Sequence, residues 1–272
     1  MSDKLCDYTT FGIGGKAKNL IVAHDLKTLL YCAPGAAVLG RGSNVLVSDR
    51  GYDGTVLINR YEGIDVSGCA VTAGSGMSLA KLCRSAAELG LTGLEFAVGI
   101  PGSVGGAVKM NAGAFGSSFS DVLVCADVLR DGNLVTLGAD ELGLGYRTSS
   151  IGDGDTVICA TLALKRGNRA EIEALCARYR AERAKKQPHG RSAGSVFKNP
   201  VGMSVGALIE SLGLKGLRIG GAEISRKHAN IIVNTGGATA SDVRELILTA
   251  KTALLGIGIE AHEEIEYIGE FD

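Results

Sequence analysis

The chain has 272 residues, and its 28 basic and 29 acidic side chains give a formal net charge of −1 at pH 7. This balance excludes a general polyanion-binding surface, so we expect no nucleic-acid partner. Hydrophobic residues make up 46% of the chain, but no run approaches the ~20 apolar residues of a membrane-spanning helix, so we expect no membrane association. The length predicts two or three compact units rather than one small core.

The seven cysteines and four histidines are scattered rather than clustered. No two cysteines form a CxxC motif, and most lie in apolar runs such as residues 124–126 and 158–160. We therefore expect buried free thiols, no metal site and a reducing, cytoplasmic environment. The first residues of the sequence also lack the basic and apolar regions of a secretory signal, which agrees with that location.

In chain order, the first part of the sequence alternates short helices and strands. Asp25 is a suitable N-terminal cap for a short helix that begins directly after it. Apolar residues at helical spacing predict a second helix over residues 78–89, and Gly90 is placed to end it. The dipeptide Asp131-Gly132 predicts a hairpin. The predicted strands are residues 36–39, 45–47, 55–59, 121–130, 134–137 and 156–164.

Two glycine-rich stretches in this part predict ligand loops. Six of the eighteen residues 99–116 are glycine, but Pro101 and several apolar residues distinguish this stretch from a flexible linker. We interpret it as an ordered, partly buried loop whose main-chain N–H groups face an anionic ligand. Residues 40–44, between two predicted strands, form a second such loop. Neither stretch has the dinucleotide fingerprint or the phosphate loop, so a nucleotide cofactor requires another architecture.

The composition changes near Gly167, where a long basic helix is predicted. Its apolar residues recur at helical spacing over residues 169–186, and Pro188 ends it. Residues 178–191 are rich in arginine and lysine, which is typical of a solvated helix face and also suits attraction of a phosphate-bearing substrate. Beyond them we predict helices over residues 204–212 and 241–255, the second capped by Ser241, and strands over residues 230–234 and 264–268.

Three further stretches, residues 9–15, 145–150 and 193–200, also combine glycine with polar residues. Ser195 alone indicates a turn or a cap, since the GxSxG elbow of an acyl-transfer nucleophile is missing. Arg147 alone is typical of a surface arginine, and the acidic run 263–266 is typical of a solvated face. Five glycine-polar stretches in one chain nevertheless favour a large, extended cofactor.

Ten short motifs, taken together, make the whole chain resemble the UDP-N-acetylenolpyruvoylglucosamine reductases, the flavoenzymes of bacterial peptidoglycan synthesis. They follow one another in the order found in that family, and ten ordered matches are highly specific although each motif is weak alone. The motifs are residues 10–15, 40–44, 93–96, 99–116, 146–149, 187–188, 193–200, 220–222, 227–230 and 264–269.

The resemblance implies an α+β fold with two ligand-binding parts. Residues 1–167 would bind FAD in two subdomains, about 1–62 and 63–167, in the manner of the vanillyl-alcohol-oxidase type of flavoprotein. Residues 168–272 would form a smaller C-terminal α+β substrate-binding domain, whose last strand returns to the flavin site. The short segment between Gly145 and Arg169 resembles the family type that lacks an extra tyrosine-bearing loop.

The resemblance also implies the reaction and its catalytic residues. NADPH would reduce FAD, and hydride would then reach the enolpyruvyl ether of UDP-N-acetylglucosamine enolpyruvate, giving UDP-N-acetylmuramic acid for peptidoglycan, and hence for cell-wall biogenesis, cell shape and cell division. Matched residue by residue, Ser195 is the proton donor, and Arg147 and Glu264 flank the carboxylate of the substrate. A fixed guanidinium suits the negative charge that develops there. The run Glu263-Glu264 is ambiguous by one residue, and the downstream Ile268-Gly269-Glu270 fixes the register on Glu264.

The binding residues follow from the same match. The predicted FAD contacts are Gly40, Arg41, Gly42, Ser43, Asn44, Ser103, Gly105, Gly106, Ala107, Ala112 and Gly113. The predicted contacts of the nucleotide-sugar substrate are Lys198, Asn199 and Lys227, of which Lys227 equally fits an ordinary surface position. No metal and no obligatory protein partner are expected.

Two other functions stay open at this point. The first is another flavin oxidase or dehydrogenase on the same FAD fold, but the C-terminal motifs 193–200 and 227–230 argue against it. The second is a non-catalytic nucleotide-binding regulator, but the joint presence of Ser195, Arg147 and Glu264 argues against a protein that has lost its chemistry.

Overall fold

The computed structural model describes residues 3–271. The helices are α1 (Leu26–Cys32), α2 (Leu79–Glu88), α3 (Val104–Lys109), α4 (Arg169–Lys186), α5 (Val205–Ser211) and α6 (Ala240–Gly256). The strands are β1 (Ala17–Ala23), β2 (Ala37–Leu39), β3 (Val45–Val47), β4 (Tyr52–Asn59), β5 (Ile64–Ser67), β6 (Ala70–Gly74), β7 (Leu91–Thr92), β8 (Gly113–Ala114), β9 (Ser117–Ser118), β10 (Leu123–Arg130), β11 (Asn133–Gly138), β12 (Thr156–Ala163), β13 (Lys165–Arg166), β14 (Arg218–Ile219), β15 (Ala222–Ile224), β16 (Ile232–Asn234) and β17 (Glu266–Ile268). Among residues 3–271, every helix is too short or too polar to traverse a bilayer.

The chain forms two compact units, each assembled from segments that are distant in sequence. Of the described residues, the terminal unit comprises 3–20, 42–55 and 184–271, and the central unit comprises 21–41 and 56–183. This partition differs from the predicted division after residue 167. The predicted division separates the chain by the ligand that each part would bind, FAD or the substrate, whereas the units separate it by packing. The division by ligand stays a prediction.

The central unit is built on a five-stranded antiparallel sheet in the order β11-β10-β12-β6-β5. Its buried side chains form one large core with α2 and α3, in which Met77, Leu82 and Val104 are fully enclosed. The turn between β10 and β11 has positive φ at Asp131 (50°) and Gly132 (75°), as a two-residue hairpin turn requires. The predicted hairpin is therefore confirmed, whereas the β5–β6 hairpin was not predicted because its exposed strand β5 has no buried face to mark it.

The predicted helices of the central unit are confirmed. The Asp25 carboxylate accepts a hydrogen bond from the Thr28 N–H (2.8 Å) at the start of α1. Ser78 caps α2 in the same way, and Gly90 follows the helix with φ of 65°. Helix α4 begins and ends at the predicted residues.

Residues 99–116 do not form a single loop, and that prediction was wrong. They contain helix α3 and the small hairpin of β8 and β9. The Ser103 hydroxyl caps α3 by accepting from the Gly106 N–H (3.4 Å). Glycine is a poor helix former, but a Cβ at Gly105 would lie 2.9 Å from the Cβ of Ser75. Close packing of α3 on its own unit thus overrides local propensity.

The terminal unit contains the antiparallel sheet β14-β15-β16, with α5 and α6 packed around one apolar core. Phe11, Leu46 and Phe197 come to this core from three separate segments of the chain. Strand β3 pairs in parallel with β17, from Val45 opposite Glu266 onwards. The last strand therefore begins two residues later than predicted, and Glu264 precedes it.

The predicted cap of α6 was wrong. Thr239 caps this helix, because its hydroxyl accepts from the Asp242 N–H (3.1 Å) while the Asp242 carboxylate accepts from the Thr239 N–H (3.0 Å). This reciprocal capping box starts the helix one residue earlier than expected. Ser241 lies in the first turn, where its N–H donates to the Asp49 carboxylate (3.1 Å).

Candidate active site

Ser195 lies on an extended segment that is hydrogen-bonded along both edges. It forms an antiparallel bridge with Ile231 on one side. On the other side, the Glu264 N–H donates to the Val196 carbonyl (2.7 Å), and the Lys198 N–H donates to the His262 carbonyl (2.8 Å). The terminal unit therefore brings the predicted residues Ser195 and Glu264 onto neighbouring, directly hydrogen-bonded segments.

The segment that carries Glu264 is also bonded to the 40–44 loop. The Asn44 side-chain amide donates to the Glu264 carbonyl (2.9 Å), and the Asn44 carbonyl accepts from the Glu266 N–H (2.9 Å). Asn44 was predicted as a cofactor contact, and its side chain has this structural partner as well. Hydrogen bonds to Val196 on one side and to Asn44 on the other thus fix the position of the Glu264 main chain along the Ser195 segment.

Glu263, the neighbour of Glu264, has two side-chain partners in the terminal unit. Its carboxylate pairs with the Lys251 ammonium (2.7 Å) and accepts a hydrogen bond from the Tyr267 hydroxyl. Burial raises the pKa of Tyr267, and the bond to Glu263 raises it further. The contacts of Glu263 are thus those of a structural carboxylate, and the choice of Glu264 as the functional one stays a prediction.

Arg147 belongs to the central unit and lies in a tight turn. Gly145 and Thr148 exchange main-chain hydrogen bonds (3.1 and 3.4 Å), which leaves Tyr146 and Arg147 at the tip. Arg147 has φ of 55°, in the left-handed region that costs a side chain with a Cβ about 1–2 kcal/mol. Its guanidinium donates to the Gly113 carbonyl (3.3 Å), and it stacks 5.3 Å from the centroid of the Tyr146 ring. Strain of this kind is concentrated at functional sites.

A second arginine, Arg183 of α4, lies near Arg147 in the same unit. Its Nε donates to the Gly99 carbonyl (3.0 Å). Burial lowers the pKa of the Arg183 guanidinium, and the nearby charge of Arg147 lowers it further. Two neighbouring guanidinium groups beside the glycine-rich stretch are suited to an anionic ligand. The sequence placed Arg183 within the basic run 178–191 without distinguishing it from its neighbours.

The predicted FAD residues of the central unit fall into packed and open positions. A Cβ at Gly40 would clash with the hydroxyl of buried Ser103, so these two predicted residues are in direct contact. Gly105 packs on Ser75 as described, and Ala107 is a core residue. Gly106 is exposed, and a Cβ there would be 3.6 Å from its nearest neighbour. Gly106 is therefore a position where protein packing alone does not require glycine.

The remaining predicted FAD residues lie on short turns and hairpins. In the terminal unit, Gly42 has φ of 59°, and its carbonyl accepts from the Thr10 N–H (2.9 Å). Ser43 follows it and is half-buried. In the central unit, Ala112 and Gly113 lead into β8, where a Cβ at Gly113 would be 2.6 Å from the Ser117 carbonyl. Glycine at 42 and 113 thus has a local structural explanation.

The predicted substrate residues have structural contacts in the terminal unit. The Asn199 side chain accepts from the Val205 N–H (3.0 Å), at the start of α5. The Lys227 ammonium donates to the Ala184 carbonyl (2.6 Å) on an exposed surface, as the surface alternative anticipated. Lys198 is half-buried on the Ser195 segment. Lys198 therefore shares the extended segment of Ser195, three residues further along the chain, and Lys227 has a main-chain partner at Ala184.

Residues 3–271 contain no cluster of three or more His, Cys, Asp or Glu side chains arranged for a metal ion. All seven cysteines are free thiols, but only Cys83 and Cys176 are buried, so the prediction of general burial was wrong. The other five are half-buried, on helical turns (Cys6, Cys32), a turn (Cys69) and strands (Cys125, Cys159), where one side of the element faces solvent. Burial raises the pKa of Cys83 to about 12, which keeps this thiol protonated and unreactive.

Comparisons with known proteins cover nearly the whole chain. The model of the UDP-N-acetylenolpyruvoylglucosamine reductase C-terminal domain matches residues 186–268, and the FAD binding domain model matches residues 30–138. The UDP-N-acetylenolpyruvoylglucosamine reductases of Caldicellulosiruptor bescii and Anoxybacillus flavithermus are both 43% identical to this chain, over 98% of it and over 90% and 93% of their own lengths. The crystal structure of UDP-N-acetylenolpyruvylglucosamine reductase from Thermus caldophilus matches with a TM-score of 0.88 at 40% identity and covers 97% of both chains.

The chain belongs to the UDP-N-acetylenolpyruvoylglucosamine reductase family. The predicted family, the predicted fold class and the prediction of an FAD-dependent oxidoreductase are thereby confirmed. The roles of individual residues in this reductase stay predictions.

The residues of this reductase fit an FAD group. The Nε of Arg41 is buried and makes no hydrogen bond within the described residues, although the same guanidinium pairs with Glu62. Such an atom has a place for one more acceptor, since buried donors are normally satisfied. The open face at Gly106 likewise leaves room for a ligand beside the main chain, while the Gly106 N–H itself donates to the Ser103 hydroxyl (3.4 Å).

Sequence reasoning missed three polar residues that hold the site segments. Asn230 ends the 227–230 motif, Asn111 lies within residues 99–116, and Lys251 lies on α6. The two asparagines were visible as motif members, but the site residues that they bond, Phe197 and Gly145, are 33 and 34 residues away in the chain. Only the tertiary structure identifies what they bind.

Proposed function

We propose that this reductase converts UDP-N-acetylglucosamine enolpyruvate to UDP-N-acetylmuramic acid, with NADPH as the reductant. One observation carries the proposal beyond the family: the Glu264 N–H is bonded to the carbonyl beside Ser195, Val196 O, at 2.7 Å. The Ser195 hydroxyl and the Glu264 carboxyl group thus belong to paired segments, which suits protonation of a substrate carbon that lies next to a bound carboxylate. The domain roles proposed are FAD binding by residues 1–167 and substrate binding by residues 168–272.

FAD, when bound, supplies to the terminal carbon of the enolpyruvyl group the hydride that comes from NADPH. The residues proposed to hold it combine main-chain groups of two glycine-rich segments with short side chains. They are Gly40, Arg41, Gly42, Ser43, Asn44, Ser103, Gly105, Gly106, Ala107, Ala112 and Gly113. Of these, Arg41 has the buried nitrogen without a partner within residues 3–271, and Gly106 has the open face.

Ser195 is the proposed proton donor to the carbon next to the one that receives hydride. A serine hydroxyl is a weak acid, but a carbanion-like carbon is a strong base, so a correctly placed hydroxyl is sufficient. Hydrogen bonds on both sides of the Ser195 segment limit its movement. A positioned general acid of this kind contributes about 10²–10⁴-fold to the rate.

Arg147 and Glu264 are proposed to bind the carboxylate of the enolpyruvyl group. Addition of hydride to the double bond moves negative charge onto this carboxylate, and a guanidinium already in place stabilises it without reorganisation. Glu264 in its protonated form would share the charge as a hydrogen-bond donor. The strained backbone at Arg147 favours a fixed direction for its side chain.

The nucleotide-sugar end of the substrate is assigned to Lys198, Asn199 and Lys227. Two lysines supply positive charge for a diphosphate, and the Asn199 amide nitrogen is a hydrogen-bond donor. In the cell, we place the reaction in the cytoplasm, in peptidoglycan precursor synthesis, and hence in cell-wall biogenesis, cell shape and cell division.

The test is an anaerobic titration of the purified protein. It should be yellow, NADPH should bleach it, and enolpyruvyl-UDP-N-acetylglucosamine should restore the colour. UDP-N-acetylglucosamine, which lacks the enolpyruvyl group, is the control and should leave the flavin reduced. A colourless protein that takes up no FAD would contradict the proposal. Flavin that NADPH reduces but this substrate does not reoxidise would favour a different flavin dehydrogenase.

A further inference from the structure

Three asparagine side chains hydrogen-bond the main chain beside the three proposed catalytic residues. We propose that Asn230, Asn111 and Asn44 are positioning residues for Ser195, Arg147 and Glu264, respectively. The inference rests on the proposed function, because it takes those three side chains as catalytic. Each asparagine and the segment it holds belong to the same compact unit.

Asn230 holds the Ser195 segment with both ends of its amide. Its oxygen accepts from the Phe197 N–H (3.0 Å), and its nitrogen donates to the Phe197 carbonyl (2.8 Å). The Asn230 carbonyl also accepts from the Val196 N–H (2.8 Å). The residue is 2% exposed, so water does not replace these bonds. The side chain thus acts as one extra rung of a sheet, two residues after Ser195.

Asn111 holds the turn that carries Arg147. Its side-chain nitrogen donates to the Gly145 carbonyl (3.0 Å), and its oxygen accepts from the Ser120 N–H (2.9 Å). It is 6% exposed and has φ of 39°, a conformation that asparagine tolerates better than most residues. The bond to Gly145 anchors the first residue of the turn, at whose tip Arg147 is strained.

Asn44 holds the Glu264 segment, through its amide nitrogen to the Glu264 carbonyl (2.9 Å). Its own carbonyl accepts from the Glu266 N–H (2.9 Å), so it bonds on both sides of Ile265. Asn44 is also among the proposed FAD contacts, and a substitution there would disturb two functions. The test therefore uses Asn230 and Asn111.

Asparagine suits these positions because each site needs a donor aimed at a main-chain carbonyl. Asp has nearly the same shape, but when ionised it offers acceptors only. Asn230→Asp and Asn111→Asp therefore remove the bond to Phe197 or Gly145 and set a carboxylate against the carbonyl. Displacement of a reacting group by about 1 Å costs roughly 100-fold in rate.

The matched control is Asn234→Asp in the terminal unit. Asn234 has the same type of contacts, donating to the Phe11 carbonyl (3.1 Å) and accepting from the Gly236 N–H (2.9 Å). Its side chain bonds neither the Ser195 segment nor the Arg147 turn, and its main-chain N–H donates to the Arg191 carbonyl (2.9 Å) whichever of the two side chains is present. Asn234 is half-buried, so the general effect of an Asn→Asp change on a side chain bonded to main chain should be present in this variant too.

The experiment measures the two half-reactions separately and adds amide hydrogen exchange of the flavin-free protein. We expect Asn230→Asp and Asn111→Asp to slow reoxidation of reduced flavin by the enolpyruvyl substrate by about 10- to 100-fold, with reduction by NADPH at the control rate. Lower kcat with little change in KM would accompany this. Exchange should accelerate at residues 195–198 in the first variant and at residues 145–148 in the second, and at neither in Asn234→Asp.

Reoxidation within about twofold of the control, or equal slowing of both half-reactions, would overturn the inference. Unchanged exchange at residues 195–198 and 145–148 would overturn it as well. If Asn230→Asp yields no folded protein, uncharged Asn230→Ser replaces it, with the same expectations. A wild-type enzyme that the substrate does not reoxidise would instead contradict the proposed function, and the exchange result would still decide whether the asparagines hold these segments.

Discussion

Arg147 and the pair of Ser195 and Glu264 are held in place by two different means. Ser195 and Glu264 lie on segments joined by regular main-chain hydrogen bonds, supported by a buried apolar core. Arg147 lies at the tip of a two-residue turn with φ of 55°, which one isolated pair of main-chain bonds closes and the Asn111 side chain bonds from outside. The first arrangement is stable whatever the side chain at position 195, whereas the second is strained by the presence of any side chain at position 147. Substitutions should therefore affect catalysis and stability differently in the two regions.

The largest effect is expected for Ser195→Ala. Loss of the proton donor should slow substrate-dependent flavin reoxidation by about 10²–10⁴-fold. The hydrogen bonds described above between the paired segments are main-chain bonds that do not use the Ser195 hydroxyl. Flavin reduction by NADPH and the Tm should stay as in the wild type. Stopped-flow absorbance of each half-reaction and a thermal scan check this, with Ser192→Ala as the control in the same segment. Loss of both half-reactions would mean that Ser195 acts structurally.

The next effect concerns the stretch that follows the Arg147 turn. Arg130 donates to the Asp155 carboxylate (2.7 Å) and to the Ser150 carbonyl (3.0 Å), and this contact lowers the pKa of Asp155. The stabilisation is present above the unfolded-state pKa near 3.8 and is lost as pH falls through the lower folded-state pKa. Asp155→Asn should lower the Tm at pH 7 by about 2–4 °C and flatten its fall below pH 4. Equal acid sensitivity of variant and wild type would contradict this.

Strain at Arg147 predicts a smaller effect with an unusual sign. Arg147→Gly and Arg147→Ala should lower substrate turnover equally, by about 10²–10³-fold. The glycine variant should nevertheless be more stable than the alanine variant by about 1 kcal/mol, because only glycine adopts φ of 55° freely. Urea unfolding measures the difference. At Thr148, which has an ordinary negative φ, the order of the two variants should be reversed. If the glycine and alanine variants have the same order of stability at positions 147 and 148, the turn relaxes and stores no strain.

The smallest effect is expected for Glu263→Gln. This change weakens a partly exposed ion pair with Lys251, so the loss in free energy of unfolding should be below about 1 kcal/mol. Substrate turnover should be unchanged, whereas Glu264→Ala should lower it about 100-fold. The pKa of Tyr267 should fall towards its ordinary value, which ultraviolet titration of tyrosine detects. A large loss of turnover in Glu263→Gln would reverse the roles of the two glutamates.

Local signals in the sequence predicted most of the regular structure. Asp25 identified the start of α1, Gly90 the end of α2 and Asp131-Gly132 the hairpin, because each acts through its immediate neighbours. Helix α3 could not be found in this way. Its glycines disfavour a helix locally, and the contact with Ser75 that makes glycine necessary joins residues 30 positions apart in the chain.

The candidate site was predicted less completely than the fold. Ser195, Arg147 and Glu264 came from ordered motifs, and the structure places two of them on paired segments. The supporting residues Asn230 and Arg183 carried no distinguishing signal, because an asparagine in a motif or an arginine in a basic run looks the same whether it faces solvent or a carbonyl. Their roles depend on long-range contacts that only folding creates.

Pairing of β3 with β17 has a consequence for synthesis on the ribosome. Every segment of the central unit has been translated once residue 183 is added. Strand β3, which follows the 40–44 loop, has no complete partner strand until Ile268 is translated. At 5–20 residues per second, those 85 intervening residues take roughly 4–17 s. The nascent protein therefore exposes β3 and its loop for seconds after the central unit is complete, and a transcript truncated before Glu264 yields a chain that lacks both the partner strand and a proposed catalytic residue.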